Sequence, residues 1–352
     1  MNKSRSLKIA SLATAITLAF APVAHATTWK AGGASSVNGL MAACKAKYQA
    51  ATGDDFPYNG TGSGTGKTGV HNGTMDFAFS DSVHSPMVAN EIHVPTVLWP
   101  VAILTNLPGS NKPVTLSTDT VAGIFAGKIT NWNDPAIVAD NNRSYTRITY
   151  KVDRNGNPVK DAKGNPVVQS SRTLQSIYTL PDKPIKVIYR SDSSGTSENF
   201  TNFLNKSASA VWTKAKSKVF KDSFPGNIND VANLGRIVGA ASSTGVSQLA
   251  GKTPYSITYA EVNYAVANKL KVANIINPAG SSVAPDSTGV SAFLAQASQD
   301  ANGWLTYDYK TTEKGAYPLG IVSYLLADTK YPDATQAAAV KEFAKFILSP
   351  AC

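Results

Sequence analysis

The sequence predicts an α/β protein built as two domains, and three observations carry that prediction. The chain has 352 residues, more than one compact core organises, so two units are the natural expectation. Short apolar runs of strand length alternate with stretches whose apolar residues recur at helical spacing. Clusters of glycine and small hydroxyl residues stand where those runs hand over to helices, as caps and tight turns require. Hydrophobic residues make up 43% of the chain and charged residues 16%, a globular balance that excludes a largely disordered protein.

Residues 1–26 read as a secretory signal peptide. Lys3, Arg5 and Lys8 form a basic start, Ile9 to Ala24 is apolar and small, and Ala24-His25-Ala26 fits the small-x-small cleavage rule. A membrane anchor is the competing reading, and Ser11, Thr14, Thr17 and Pro22 weaken it in a run already short for a span. The mature chain then starts at Thr27, and no Cys stands there for lipid attachment. Ser36 is placed to cap a helix running to about Ala50, with Val37, Leu40, Met41, Cys44 and Tyr48 as its buried stripe. A glycine-rich tract, Gly60 to Gly73, follows. Met75 to Phe79 is a short apolar run ending at Ser80-Asp81, and Thr96 to Leu104 reads as a buried strand.

Tyr150 to Val168 carries Asn155-Gly156-Asn157-Pro158 and Lys163-Gly164-Asn165-Pro166, the turn chemistry of an inserted surface β-hairpin. Val187 to Tyr189 reads as a strand that passes through Arg190-Ser191-Asp192-Ser193-Ser194-Gly195-Thr196 into a helix with Phe200, Phe203 and Leu204 on one side. Tyr255 to Val262 and Ile321 to Ala327 read as later strands. The last helix runs from roughly Ala334 to Leu348 and buries Val340, Phe343, Ala344 and Ile347.

Charge and cysteine content narrow the function classes. The formal net charge is +10, and losing the leader removes Lys3, Arg5 and Lys8 but leaves a basic surplus. That surplus suits an anionic ligand and equally suits ordinary surface chemistry. No Lys/Arg run or basic–aromatic interleaving of the nucleic-acid-binding kind occurs. Past the leader, no apolar stretch is long enough to span a membrane; Val94 to Leu104 comes nearest and is broken by Pro95 and Pro100. The two cysteines, Cys44 and Cys352, have one pairing open to them in an oxidising compartment; the alternative is a buried Cys44 and a free terminal thiol.

Three segments share one chemical theme: Gly32-Gly33-Ala34-Ser35-Ser36, Gly60-Thr61-Gly62-Ser63-Gly64-Thr65-Gly66 and Ser193-Ser194-Gly195-Thr196. At a helix start the backbone N–H groups are free and the dipole is positive. Glycine admits a ligand close to the backbone, and hydroxyls add donors. Any one such segment is an ordinary cap or turn; several converging make a cage for a tetrahedral anion. Arg190 adds a charged fork, or else forms a surface ion pair with Asp192. Asp81 is a candidate acceptor, or else a helix cap.

Enzymatic signatures are missing from the sequence. Gly66-Lys67-Thr68 resembles the end of a P-loop, but Thr61 stands where that motif needs glycine. No serine has glycine at both −2 and +2, so there is no nucleophile elbow. His71, His84 and His93 show no metal-like spacing to Cys or carboxylates, so neither a metal nor another cofactor is expected.

These residues bring in a resemblance. The chain is similar to the periplasmic phosphate-binding proteins of high-affinity phosphate ABC transporters, the PstS type. The similarity rests on AGGASS (31–36), YNGTGSGTG (58–66), MDFAFSD (75–81), ITNWNDPAI (129–137), YRSDSSGTSENFTNFL (189–204), TPYSITYAEVNYA (253–265) and YPLGIVSYLL (317–326), in order over most of the mature chain. It implies a two-lobed fold of the venus-flytrap kind, with two or three hinge strands crossing between lobes that close on phosphate. The lobes would divide as 27–103 with 255–352 for lobe I and 104–254 for lobe II. Carried over by motif, the phosphate donors are Ser35, Ser36, Ser63, Arg190, Ser194, Gly195 and Thr196, with Asp81 as acceptor and Asp192 orienting Arg190. Ser36 stands where the family often has Phe, so a backbone N–H is its expected contribution. Glu198 stands where the family often has an uncharged residue and must point away from the ligand; the 150–168 hairpin is extra, and the end at Cys352 suggests a shortened or specialised C-terminus.

The resemblance implies a monomeric periplasmic or secreted receptor, without catalysis, that hands inorganic phosphate to the membrane permease subunits of an ABC importer. The competing functions are an exported phosphatase-like hydrolase and a secreted adhesion or surface factor on the same scaffold. Asp81 is informative in physical terms. Phosphate near neutral pH still carries a proton that a carboxylate can accept, whereas sulfate has none to give, so Asp81 would select between them.

Overall fold

The computed structural model describes residues 27–175, 177–300 and 304–352; the segment read as a signal peptide lies outside the described residues. β1 (Ala31–Gly33) leads through a 3-10 turn at Ser35–Val37 into α1 (Asn38–Thr52), then β2 (Tyr58–Asn59), α2 (Ser63–His71) and β3 (Phe77–Ser80). β4 (Glu91–Asn106) is the longest strand, and β5 (Thr115–Ser117), α3 (Thr118–Phe125) and α4 (Pro135–Asn141) follow. β6 (Ser144–Tyr150) and β7 (Val168–Gln175) form the hairpin, ahead of β8 (Lys186–Arg190), α5 (Gly195–Ser207), α6 (Phe220–Ser223), β9 (Ile237–Ala240) and α7 (Ser242–Lys252). The rest of the chain is β10 (Ser256–Glu261), α8 (Asn263–Ala267), β11 (Lys271–Val272), β12 (Asn274–Ile276), β13 (Ser282–Val283), α9 (Ser287–Leu294), β14 (Ser298–Gln299), β15 (Leu305–Thr306), β16 (Gly320–Asp328) and α10 (Ala334–Ile347).

One curled sheet runs through the molecule in the order β2-β1-β3-β16-β4-β10-β8-β9. β4 joins its two halves. Its first part, Glu91 to Pro100, pairs with β16, and its second part, Val101 to Asn106, pairs with β10. Pro95 and Pro100 sit in the first part, where Leu98 remains exposed, and burial is complete only from Val101 to Thr105. The expectation of a buried strand over Thr96–Leu104 therefore holds for its second half alone.

Each half has its own core. In the first, α1 and α10 cover β1 and β3: Val37, Met41 and Tyr48 meet Phe343 and Ile347, and the Phe77 ring stacks on Phe343 at 4.5 Å. Ala344 is only partly buried there. In the second, α3, α5 and α6 pack Phe125, Phe200 and Phe220 around Tyr259 of β10. β10 also pairs with β8, and Ile275, Val290 and Phe293 belong to this second core. Residues of β10, β12 and α9 pack into the second core, and β16 returns the chain to β3 and the first part of β4. β4 supplies the link, because its half beyond Pro100 pairs with β10 along one edge and with β11 along the other.

Two local expectations are also corrected. Ser36 does not cap α1; it lies inside the 3-10 turn, and α1 begins after Val37 without a side-chain cap. The hairpin is longer than Tyr150–Val168, because β6 and β7 pair from Ser144 to Gln175. Its 151–167 tip folds as two turns, in which the Asp153 carboxylate accepts from the N–H of Asn155 and Asn157 and that of Asp161 from Lys163 and Asn165. A disulfide joins Cys44 of α1 to Cys352, pinning the C-terminus to the first half.

Candidate functional site

The site forms where helix starts from both halves converge on Asp81. β3 ends at Ser80 and delivers Asp81 to the junction, with 3% of the residue exposed. From the first half come Ser35 and Ser36 after β1 and Ser63 opening α2, preceded by Gly62 at φ 118°, a conformation that favours glycine. From the second half come Arg190 at the end of β8 and Ser194, Gly195 and Thr196 opening α5. The structure therefore brings together all the residues carried over by motif.

Asp81 is the hub. Its Oδ1 accepts from the Ser36 hydroxyl at 2.6 Å and the Ser323 hydroxyl at 2.5 Å, and its Oδ2 faces the Thr196 hydroxyl at 3.1 Å. Its backbone N–H donates to Ser63 Oγ at 3.1 Å, and its carbonyl accepts from Asn199 Nδ2 at 2.6 Å. Asp81 is thus not a helix cap, and the Ser36 hydroxyl proton is engaged with Asp81. Two carboxylate oxygens offer about four acceptor positions; three hydroxyls use at most three of them, leaving at least one on Oδ2.

Arg190 is buried, so it is not a surface ion pair. Asp192 holds it bidentately, Nε to Oδ1 at 2.7 Å and Nη2 to Oδ2 at 2.5 Å, while Nη1 donates to Ser243 Oγ at 3.0 Å. Burial opposes the Arg190 charge, but the Asp192 bonds outweigh it and raise its pKa; burial likewise opposes ionised Asp192, and Arg190 outweighs it and lowers the carboxyl. Ser194 caps α5 by accepting from the Ser197 N–H at 3.1 Å, which leaves the N–H groups of Gly195 and Thr196 at the head of the helix. Gly195 lies against the other half: a Cβ there would stand 2.6 Å from Ser63 Oγ and 2.9 Å from Asp81 Cβ.

Sequence reasoning missed three contributors. Ser243, in the first turn of α7, links Arg190 to Ser35, accepting from the guanidinium and bonding Ser35 Oγ. Its segment, Ser242-Ser243-Thr244-Gly245, has the same grammar as the three junctions singled out and was there to be found. Ser323 lies on β16 far from Asp81 in sequence, with no local signal. Glu261, at the end of β10, is 1% exposed and its Oε1 lies 3.1 Å from Thr196 Oγ1. One hydroxyl proton cannot serve both Asp81 and Glu261, so the two carboxylates compete for it. Burial raises the pKa of both, and each sits close enough to the other to compound the effect at Glu261.

The surroundings dispose of other charges. Glu198 lines a cavity of about 590 Å³ that also touches Asp81, Lys206 and Tyr309. Lys216 holds its carboxylate at 3.0 Å, and although burial opposes ionisation, that pair lowers its pKa. Lys67, the residue of the P-loop look-alike, is buried and donates to Ser82 Oγ and Val83 O, both at 2.8 Å; burial pulls its pKa down to about 8. It braces the Asp81 loop. His84, Glu91 and His93, which show no motif spacing, come together in space beside this loop. Burial lowers the His84 pKa, with Glu91 opposing; at Glu91 burial acts upward and the bonds of His93 and His84 prevail to lower it.

The chain matches the PBP superfamily domain over residues 21–351. It is 32% identical to the Phosphate-binding protein PstS 2 of Mycobacterium tuberculosis over 337 residues, spanning 91% of this chain and 78% of that one. It is 29% identical to the Phosphate-binding protein PstS of Xylella fastidiosa, over 89% of this chain and 75% of that one. Among solved structures, the high affinity periplasmic phosphate-binding protein PfluDING, bound with phosphate, superposes with a TM-score of 0.62 at 26% identity, covering 90% of this chain and 84% of that one.

Proposed function

The chain belongs to the PBP superfamily and, within it, to the PstS-type phosphate-binding proteins, and from that premise we propose how its residues capture the anion. The protein is a phosphate-binding component of an ABC transport system, a receptor and not an enzyme. Phosphate sits between the two halves. The Ser35, Ser36, Ser63 and Ser194 positions, the Gly195 and Thr196 N–H groups and the Arg190 guanidinium donate to it, and Asp81 accepts from it. Asp192 orients Arg190 and partly neutralises it, so attraction comes from fixed donors at helix starts more than from net charge.

One observation carries this assignment: Asp81 is saturated at Oδ1 and keeps at least one acceptor position on Oδ2. A single O–H of the ligand fits that position. Hydrogen phosphate supplies it; sulfate would place a bare oxygen against a carboxylate. In the cell, the protein works as a periplasmic monomer that presents the closed, loaded form to permease subunits. A phosphatase or adhesion role finds no support in these residues.

Calorimetric titration of phosphate-stripped protein tests the reading. One phosphate binds per chain, and sulfate binds at least about a hundredfold more weakly, as loss of one buried charge-assisted hydrogen bond of about 3 kcal/mol implies. Asp81→Asn narrows that gap. Equal affinity for the two anions in the unmodified protein would remove the role given to Asp81.

A further inference from the structure

Beside the anion cleft, the loop after β3 and the start of β4 assemble a second group of donors. Residues two apart on a strand face the same side, so Glu91 and His93 project together, and the loop carries His84 across them. His84 Nδ1 lies 2.7 Å and His93 Nε2 3.0 Å from the same oxygen, Oε1 of Glu91. One ligand atom from each of the three lies within 4.8 Å of the others. The side chains of Glu91 and His93 are 3% and 1% exposed, and that of His84 is 20% exposed. The second oxygen of Glu91 is buried with no hydrogen-bond partner among the described residues, and so is His93 Nδ1. His93 Nε2 also accepts from the His84 backbone N–H at 3.3 Å, and the ring packs edge-on to Trp304 at 5.9 Å and to Tyr324 at 6.2 Å.

We propose that His84, Glu91 and His93 bind one divalent first-row transition-metal ion of the zinc type. Two imidazoles and one carboxylate form a donor set that suits such ions and not calcium or magnesium, which prefer all-oxygen shells. The size fits as well. Metal–ligand bonds near 2.0–2.1 Å set tetrahedral donors about 3.4 Å apart, so the 2.7 and 3.0 Å separations need open by about 0.7 and 0.4 Å. Glu91 would turn its empty oxygen to use, since a buried carboxylate with one oxygen unpaired is costly without a cation. The partly exposed His84 side leaves a fourth position for water. His84 follows Asp81 by three residues, and Lys67 already ties the intervening Ser82 and Val83. The ion would fasten the far end of that loop to β4.

The test is stoichiometric metal binding in phosphate-free buffer. Chelator-treated protein titrated with zinc chloride takes up one ion per chain, and a cobalt-loaded sample shows the intense visible bands of a tetrahedral site. Glu91→Gln preserves size while removing the charge, and His84→Ala changes a residue with partial exposure; circular dichroism establishes that each is folded before titration. Each lowers zinc affinity at least about tenfold and weakens the cobalt bands. Should Glu91→Gln fail to fold, His84→Ala and the wild-type cobalt spectrum decide the matter. Absence of stoichiometric zinc uptake by the wild type, or folded variants that bind as it does, overturns the assignment. Phosphate titration is read separately, so failure here leaves the receptor reading intact.

Discussion

Asp81 and Glu261 show how much one residue's surroundings decide. Both are buried carboxylates facing a single threonine hydroxyl, and both have raised pKa values. The sign of the consequence is fixed. Above the ordinary carboxylate value of about 4, the folded chain holds protons that the unfolded chain has lost, so stability falls as pH rises through the raised folded pKa values. Urea unfolding of phosphate-free protein across that range is expected to show this decline, and Glu261→Gln to flatten it. A variant with the same pH dependence as wild type would separate Glu261 from the proton network.

At the scale of elements, α5 is placed so that its first turn touches the opposite half. The methyl of Gly195→Ala would meet Ser63 Oγ at 2.6 Å and the Asp81 Cβ at 2.9 Å. Ser63 can rotate, but the Asp81 backbone cannot yield without disturbing its hub. The contact lies between halves, so the methyl is expected to prop them apart without unfolding either core. Overpacking of this kind costs about 1–3 kcal/mol, which predicts phosphate affinity lowered by about five- to a hundredfold, with thermal stability of the stripped protein nearly unchanged. Unaltered affinity by calorimetry would show that the halves need not meet there. The β6–β7 hairpin was legible as an element because Asn-Gly and Lys-Gly turns advertise themselves locally; its true length was not, since strand pairing over Ser144–Gln175 depends on register and not on turn chemistry.

Across the whole molecule, the disulfide Cys44–Cys352 closes nearly the full length of the described chain. It ties α1 to the segment that follows α10, within the first core. Restricting so long a loop in the unfolded chain stabilises by about 2–5 kcal/mol. The double variant Cys44→Ser/Cys352→Ser should therefore unfold at lower urea concentration while retaining phosphate affinity; a loss of binding at equal severity would show that the bridge also shapes the cleft. β4 is the other molecule-wide device, one strand shared by two cores.

Neighbouring residues were enough to write the elements and to mark most of the side chains that meet at Asp81. Hydrophobic periodicity marked α1, α5 and α10, and glycine–hydroxyl junctions marked Ser35, Ser63 and Ser194 to Thr196, because caps, turns and amphipathic faces are written in neighbouring residues. Tertiary structure alone decided the partners. Ser323 and Glu261 reach the site from strands whose local pattern says only that they are buried. The grouping of His84 with Glu91 and His93 depends on a loop returning across β4. Membership of β10 in the second half depends on its pairing with both β4 and β8, which no local pattern announces. Local chemistry sets what a segment can form, but which segments meet is settled by the burial of surfaces far apart in the chain.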